Sequence, residues 1–300
     1  MRIWIDTDIG SDVDDALTLA YVIRHSGFEL AGVSTVFGDV DLRSAIVDSL
    51  LKTAQAPDVP ILTGLGAPLT PGRHGLMFGH EGRGIVENPE PRRRTEPEPD
   101  ADTRVARLAK ALEQAEPDVL LAIGPLSNLA ALLRAGHSLP PLAIMGGKLS
   151  DVEIPGMIQG ISEWNWFCDP VATRLVVESP HGQLPRVVPA EVTFKTCLED
   201  GDVEVLAGGD PLARQLATLC EIWLDFLRPR VDPKSPRVVL HDPLTAAVLV
   251  RDDFCPFEAL RIELDDQAKA EIVPGEPNIL AATDVDARAL RDHLMETWAP

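Results

Sequence analysis

The chain has 300 residues, of which 45% are hydrophobic, and this is enough for one large α/β domain or two small ones. Its 27 basic and 47 acidic residues give a formal net charge of −20, which argues against a nucleic-acid polymer or an anionic membrane surface as partner. No apolar run reaches the length of a membrane span, and the first predicted strand leaves no room for a signal peptide. We therefore expect a soluble, cytoplasmic protein.

Short apolar runs alternate with helical patterns along the chain. Strands are predicted at residues 2–5, 30–37, 59–62, 119–123, 142–145 and 186–188. Helices are predicted at residues 16–23, 42–54, 105–115, 126–135, 171–177 and 285–298, with a long amphipathic helix or helix pair at 203–227. This order predicts an α/β fold with a mainly parallel central sheet flanked by helices, a Rossmann-type open sheet.

No internal repeat or clean linker divides the chain, so we treat residues 1–300 as a single domain. The segment 87–102 is rich in proline and charge and has no apolar face, which predicts a solvated loop. Its arginine run at 92–94 is more typical of a solubilising segment than of a binding site.

The loop after the first predicted strand is strongly acidic. Five aspartates precede residue 16, and Arg2 is the one basic residue of that stretch: Asp6, Asp8, Asp12, Asp14 and Asp15. A strand-to-helix loop lies at the carboxyl end of a parallel sheet, where ligands bind. Helix capping by Ser11 and Asp14 accounts for the later aspartates but leaves Asp6 and Asp8 unexplained. Because clustered carboxylates repel each other unless a cation holds them ionised, the pattern predicts a hard cation with oxygen ligands.

Three further segments place polar side chains where a predicted strand or turn ends. The segments are 36–39, 123–128 and 163–165, and each also has a plain interpretation as a turn or a helix cap. His241 and Asp242 follow the apolar residues 238–240 and precede an apolar helix. At such a strand-to-helix loop Asp242 could complete an oxygen cage begun by Asp8 and Asp15, with His241 as the acid for a leaving group.

Taken together, these segments resemble the inosine-uridine nucleoside hydrolase family, the nucleoside N-ribohydrolases. Six motifs occur in the family's order, namely D-x-D with Gly10 and DDAL (6–17), VSTVFGD (33–39), IGPLSNLA (123–130), MGG (145–147), EWN (163–165) and HDPL (241–244). They span nearly the whole chain. The resemblance implies hydrolysis of the N-glycosidic bond of a ribonucleoside, to give ribose and a free base.

The resemblance also implies a Ca²⁺ ion at the bottom of a deep pocket. Its ligands would be the carboxylates of Asp8, Asp15 and Asp242 and the backbone carbonyl of Ile123, where the family usually has threonine. Asp8 would also be the general base for a bound water, and His241 would assist departure of the base.

The substrate side of the implied site includes both matches and departures. Asp14, Glu163 and Asn165 would hold the ribose hydroxyls. Asp39 stands near the sugar where the family commonly has asparagine, and His80 falls in the region of a mobile active-site loop. Met157 stands at about the position of a ribose-binding asparagine.

The loop between Asp8 and the Asp14–Asp15 pair is two residues longer than the shortest family pattern, which leaves Asp12 without an implied role. The sequence leaves the base open, and the aromatic candidates for stacking on it are Phe37, Trp164, Trp223 and Phe226.

Two other functions are compatible with parts of the pattern. A haloacid-dehalogenase-like phosphatase also begins with a strand and D-x-D and uses Mg²⁺, but Gly10 and the Asp14–Asp15 pair do not follow its pattern. A non-catalytic nucleoside- or ribose-binding protein on the same fold is the other alternative. The resemblance further favours a homo-oligomer, either a dimer or a tetramer.

Overall fold

A central eight-stranded sheet organises the computed structural model, which describes residues 1–86, 100–158, 160–230 and 236–299. Its strands in chain order are β1 (Arg2–Thr7), β2 (Glu29–Thr35), β3 (Ile61–Thr63), β4 (Val119–Ala122), β5 (Leu142–Met145), β6 (Arg186–Val188), β7 (Phe257–Leu260) and β10 (Ile279–Ala282). The strand order is β3-β2-β1-β4-β5-β6-β10-β7. All neighbouring strands are parallel except β10 and β7. The short strands β8 (Ile262–Leu264) and β9 (Ala270–Ile272) form a separate antiparallel pair.

Helices cover both faces of this sheet. They are α1 (Asp14–Arg24), α2 (Val40–Thr53), α3 (Ala101–Ala115), α4 (Ser127–Arg134), α5 (Trp164–Cys168), α6 (Pro170–Glu178), α7 (Ala190–Thr193), α8 (Asp202–Ala207), α9 (Pro211–Leu227), α10 (His241–Ala247) and α11 (Ala287–Trp298). Alternate residues of β1 point to opposite faces, so Ile3 and Ile5 join one apolar core and Trp4 joins the other. The first core includes α1, α2, α9, α10 and α11, and the second includes α3, α4 and α6.

The predicted α/β architecture is confirmed, with differences at several elements. The segment 203–227 is a helix pair, because the chain passes through Gly208 and Gly209 between α8 and α9. Residues 238–240 form no strand of the sheet, and Val239 makes only an isolated bridge to Cys197. The expected strand before His241 is therefore wrong, and Asp242 reaches its place from the first turn of α10.

The predicted solvated loop at 87–102 lies mostly outside the described residues. Its end is described and is ordered, since Asp100 accepts a hydrogen bond from the Thr103 backbone N–H at 2.7 Å and α3 begins at Ala101. In the part of the chain that the structure covers, no helix is both long and apolar enough to cross a membrane.

The direction of the chain reverses at the centre of the sheet. After β1 the chain adds β2 and β3 on one side of β1, and it then returns to place β4 on the other side. In an open α/β sheet the crevice beyond the carboxyl ends of the strands at such a switch point is where ligands bind. The loops after β1, β2, β4 and β5 therefore meet at one edge of the sheet.

Candidate active site

The acidic loop joins β1 to α1 at this switch point. Gly10 lets it turn with a φ of +114°, and a Cβ placed on that residue would lie 2.6 Å from Ile46 Cδ1 of α2. The helix α1 then begins with Asp14 and Asp15, whose negative charge is favourable in a first turn. Both side chains are buried.

Three carboxylates converge beside this loop. Asp14, Asp15 and Asp242 each offer an oxygen, and these atoms lie within 4.8 Å of one another. The backbone N–H of Asp242 donates to Asp14 Oδ2 at 3.3 Å, and Thr7 Oγ1 donates to Asp15 Oδ1. Burial raises the pKa of each of the three carboxyl groups, and repulsion by neighbouring aspartates, Asp8 among them in every case, adds to the rise. Buried oxygens at this spacing fit a hard cation, which would hold all three ionised.

Asp8 directly follows β1, is also buried, and repels each of these three carboxyl groups. Burial raises its pKa, while the Arg43 guanidinium, 4.0 Å from Asp8 Oδ2, opposes that rise. Arg2 is the one basic residue within the acidic stretch, and Arg43 adds a second basic group from outside it. Arg43 comes from α2, which is distant in sequence, and its side chain is completely buried.

Ile123, Glu163 and Asn165 meet beside β4 and β5. Asn165 Nδ2 donates to the carbonyls of Ile123 and Met145, both at 3.3 Å. The Glu163 carboxylate caps α5 and accepts from the backbone N–H groups of Asn165 and Gly147, at 2.8 and 3.0 Å. Burial raises its pKa to about 7. The three residues therefore lie together, and two of them are positioned by α5, a helix that the turn-rich sequence does not reveal.

His241 lies in the first turn of α10 with one ring nitrogen engaged. Its Nδ1 is 2.6 Å from Thr193 Oγ1, and the Phe194 ring packs edge-on at 4.7 Å between centroids. Among the described residues, Nε2 has no hydrogen-bond partner. Burial lowers the pKa of His241 to about 4, so the ring of the free protein is neutral near pH 7.

His80 lies at the other side of the acidic loop. Its Nε2 donates a hydrogen bond to the Ser11 carbonyl at 2.7 Å, and its Nδ1 is buried with no hydrogen-bond partner among the described residues. Asp12, His80 and Trp223 line one cavity, whose wall also includes the rest of the loop from Ile9 to Val13. Burial raises the pKa of Asp12 to about 8.

An aromatic cluster surrounds His80. The ring centroids of His80 and Phe226 are 4.3 Å apart, and Trp223 stacks on Phe226 at 5.4 Å. Phe78 joins Phe226 and Trp164 at 5.5 and 5.7 Å and is 42% exposed. Three of the four predicted stacking candidates therefore belong to one cluster. The fourth, Phe37, is only 2% exposed and packs in the core with Cys168.

The structure places two of the remaining residues in local roles. Asp39 caps α2, because its Oδ1 accepts from the Leu42 backbone N–H at 2.9 Å. Met157 lies in the segment before α5, where its backbone N–H donates to the Ile154 carbonyl at 3.1 Å.

Sequence reasoning missed several residues that support the site. Asp6 accepts from Asn128 Nδ2 at 2.7 Å and from Ser34 Oγ, which joins the end of β1 to α4 and to β2. Thr7 lies between the two aspartates of D-x-D, and Asn128 lies within IGPLSNLA, so both belong to motifs that resemble the family's. Arg43 and Thr193 had no such signal, because only the packing of α2 and α7 brings them to the loops.

Comparison with known proteins agrees with this architecture over nearly the full length. A profile of the family described as inosine-uridine preferring nucleoside hydrolase matches residues 3–292. Uridine nucleosidase 1 of Arabidopsis thaliana is 28% identical over 278 residues, 87% of this chain and 78% of that protein. The pyrimidine-specific ribonucleoside hydrolase RihA of Shewanella baltica is 29% identical over 292 residues, 91% of this chain and 85% of that protein.

A solved structure shows the same fold. The purine-preferring ribonucleoside hydrolase from Gardnerella vaginalis aligns with a TM-score of 0.80 at 21% identity, covering 99% of this chain and 98% of its own. Because the family match extends over almost every residue, the chain belongs to the inosine-uridine preferring nucleoside hydrolase family and is a hydrolase acting on N-glycosyl compounds.

Proposed function

We propose that the protein hydrolyses the N-glycosidic bond of ribonucleosides with the help of one Ca²⁺ ion. The observation that carries the proposal is the buried convergence of Asp14, Asp15 and Asp242 beside Asp8, within the fold of this family. Without a cation, burial would favour the protonated form of these carboxyls. Asp8, Asp15, Asp242 and the Ile123 carbonyl are the proposed ligands.

Asp14, which the resemblance assigns to the ribose, lies directly beside the proposed metal ligands Asp15 and Asp242. Its oxygen belongs to the same group of three as those of Asp15 and Asp242, and Asp8 is close enough to raise the pKa of all three by repulsion. We assign Asp14 to the ribose hydroxyl next to the metal ligands, together with Asn165 and Glu163. A carboxylate in this position can accept from a hydroxyl while it remains beside the cation.

The reaction requires a proton acceptor, a stabilised sugar cation and a leaving base. When bound, Ca²⁺ would hold the water and lower its pKa. The Asp8 carboxylate accepts the proton of that water, and the surrounding carboxylates favour positive charge on the ribosyl group as the bond to the base breaks. The assignments explain why so many acidic side chains are buried at one place.

The departing base needs a hydrogen-bond donor. The Thr193 hydroxyl has one proton, and His241 Nδ1 at 2.6 Å is a closer acceptor for it than the Ala190 carbonyl at 3.3 Å. If Thr193 donates to Nδ1, the proton of the neutral ring lies on Nε2, the nitrogen left for a substrate. His241 would then donate from Nε2 to the leaving base. The aromatic cluster with His80 offers ring faces on which that base can stack.

A panel of small substrates tests this proposal. We expect release of ribose from uridine or inosine in Ca²⁺ buffer, and no release of phosphate from p-nitrophenyl phosphate. 2′-Deoxyuridine should be cleaved at least roughly a hundredfold more slowly than uridine, because buried groups that pair with the missing hydroxyl are left unpaired. If no ribonucleoside is cleaved, the proposed activity is wrong. Equal kcat/KM for uridine and 2′-deoxyuridine would instead show that the assignment of Asp14, Glu163 and Asn165 to the ribose hydroxyls is wrong.

A further inference from the structure

Arg43 is a fully buried arginine that no motif predicts, and its side chain reaches the acidic loop from α2. Its Nη1 donates to the Ile9 carbonyl at 2.8 Å and to the Asp8 carbonyl. Its Nε donates to the Phe37 carbonyl at 2.6 Å. One guanidinium therefore binds the backbone of the loops that follow β1 and β2.

The second terminal nitrogen extends these contacts. Arg43 Nη2 donates to Ser11 Oγ at 3.1 Å and lies 3.6 Å from Met77 Sδ. Met77 Sδ in turn is 3.4 Å from the Asp39 backbone nitrogen. Arg43 thus joins three segments that border the site, and the planar fork of its donors is what allows one side chain to reach all of them.

The contacts fall on residues 8–11 of the acidic loop. They hold Asp8, Ile9 and Ser11, whereas Asp14 and Asp15 are fixed by α1. A loop loses backbone conformational freedom when it is ordered, so it needs anchors to present Asp8 in one place. Arg43 supplies these anchors from a rigid helix.

The charge of Arg43 opposes the effect of its geometry. Its Nη2 is 4.0 Å from Asp8 Oδ2, and among the ion pairs of the described residues only this one involves Asp8, Asp14, Asp15 or Asp242. A fixed positive charge beside a cation site weakens cation binding by repulsion. If Arg43 acts through its hydrogen bonds, its removal should weaken cation binding, whereas if it acts through its charge, its removal should strengthen cation binding. A measured affinity therefore separates the two effects.

We propose that Arg43 is a positioning residue that fixes the backbone of residues 8–11, so that Asp8 faces the carboxylates of Asp14, Asp15 and Asp242. The proposal rests on the proposed function only for the identity of the ion. It predicts that the geometric effect exceeds the electrostatic one, and that lysine, which keeps the charge without the fork, does not replace arginine.

The first test measures Ca²⁺ affinity by isothermal titration of chelator-treated protein. We expect Arg43→Met and Arg43→Lys both to bind Ca²⁺ more weakly than the wild type, by roughly tenfold to a hundredfold, as for other residues that orient metal ligands. Arg104→Met is the matched control, since Arg104 is also buried but donates to the Thr63 and Gly64 carbonyls. Tighter binding in Arg43→Met, or normal binding in Arg43→Lys, would show that Arg43 acts only through its charge.

The second test needs no metal and applies if the wild type binds none. Hydrogen exchange in excess chelator should be faster over residues 8–13 and 36–39 in both Arg43 variants, and unchanged over α3. Arg104→Met should leave exchange over residues 8–13 unchanged. If Arg43→Met does not fold, Arg43→Lys still decides the question, because it keeps the buried charge. Unchanged exchange over residues 8–13 in a folded Arg43 variant would overturn the proposal, whatever the ion is.

Discussion

Asp8 differs from its acidic neighbours in having an arginine beside it. Burial raises the pKa of Asp8, Asp14, Asp15 and Asp242. Arg43 opposes this rise most directly at Asp8, where it is the main opposing influence, and only as a minor influence at Asp15. A bound cation would favour the ionised form of all four. Because Arg43 lies beside it, Asp8 can remain ionised more readily than its neighbours when the metal site is only partly occupied. Asp8 is also the residue to which we assign the role of general base.

Replacement of Asp8 by asparagine tests that role. We expect Asp8→Asn to lower kcat by about 10²–10⁴-fold or more, because a base and a ligand charge are lost together, while the fold is kept by a side chain of the same shape. Steady-state kinetics and thermal melting in Ca²⁺ measure both. Asp48→Asn, at an exposed position paired with Lys52, is the control and should change neither. Near-normal turnover of a metal-loaded Asp8→Asn variant would rule Asp8 out as the base.

His241 makes a prediction that depends on the leaving group. We expect His241→Ala to slow hydrolysis of uridine by roughly a hundredfold or more, the usual range for loss of one hydrogen-bond donor to a group that gains negative charge. In a p-nitrophenyl riboside the leaving group is p-nitrophenolate, which departs without a proton. Hydrolysis of that substrate should therefore be nearly unaffected. Thr193→Val, which removes the partner of Nδ1, should show the same dependence with a smaller loss. Equal losses on both substrates would mean that His241 holds the ribose or supports Asp242.

The β1–α1 loop brings its carboxylates together because a helix follows it at once and another helix packs beside that one. Asp14 and Asp15 occupy the first turn of α1, and Asp242 occupies the first turn of α10. The turn between β1 and α1 depends on Gly10, which has a positive φ and approaches α2 closely. The shape of the site is therefore determined by helix packing as much as by the loop.

Gly10→Ala should destabilise this connection more than an alanine at an open glycine. Gly10 has a φ of +114° and Gly136 one of +84°, so each substitution strains the backbone by roughly 1–2 kcal/mol. At Gly10 the new Cβ would also lie 2.6 Å from Ile46 Cδ1, whereas no atom lies within 4 Å at Gly136. We expect an additional loss of about 1–3 kcal/mol at Gly10 from overpacking. Equal free energies of unfolding for the two variants in urea titrations would contradict this.

The elements that the sequence predicts well are those with long apolar runs. β1, β2, β4 and β5 are buried on both faces, so their composition marks them whatever their partners are. β7 and β9 are short and half exposed, and their pattern does not differ from that of a loop. The strand expected at 238–240 is absent because apolar residues there are buried by helices and not by a neighbouring strand.

The candidate site was predictable to the extent that its residues lie at strand ends. Asp8 and Ile123 directly follow β1 and β4, while Asp15 and Asp242 lie in the first turns of the helices α1 and α10. Arg43, Thr193 and the placement of His80 near Phe226 depend on contacts between elements that are far apart in sequence, for which local patterns hold no information.

The whole molecule combines a net charge of −20 with carboxylates buried in its interior. Burial raises the pKa of Asp6 and Glu163 to about 7 and that of Asp12 to about 8. In the unfolded chain these groups have their ordinary pKa values near 4. Between about pH 4 and the raised pKa values of about 7 to 8, the folded metal-free protein binds more protons than the unfolded chain. Its stability therefore falls as the pH rises through this range.

The metal-free protein should therefore melt at a lower temperature at pH 8 than at pH 6.5. His241 makes the opposite contribution, because its pKa is lowered to about 4 in the folded protein. That contribution increases stability with pH only up to the ordinary histidine pKa near 6.5, so a comparison between pH 6.5 and pH 8 largely avoids it. Added Ca²⁺ should raise the melting temperature more at pH 8, because its ligands must be ionised. If the melting temperature of the metal-free protein increased from pH 6.5 to pH 8, buried carboxyl groups with raised pKa values would not control its stability in this range.

The most direct test of a Ca²⁺-dependent nucleoside hydrolase is a titration that follows two signals on the same chelator-treated sample. The heat of Ca²⁺ binding and the rate of base release from a cleaved ribonucleoside should rise together and saturate at one ion per chain. Asp242→Ala should lose most of both signals, since it removes one of the converging carboxylates. Full turnover in excess chelator, with no metal bound to the protein, would contradict the account.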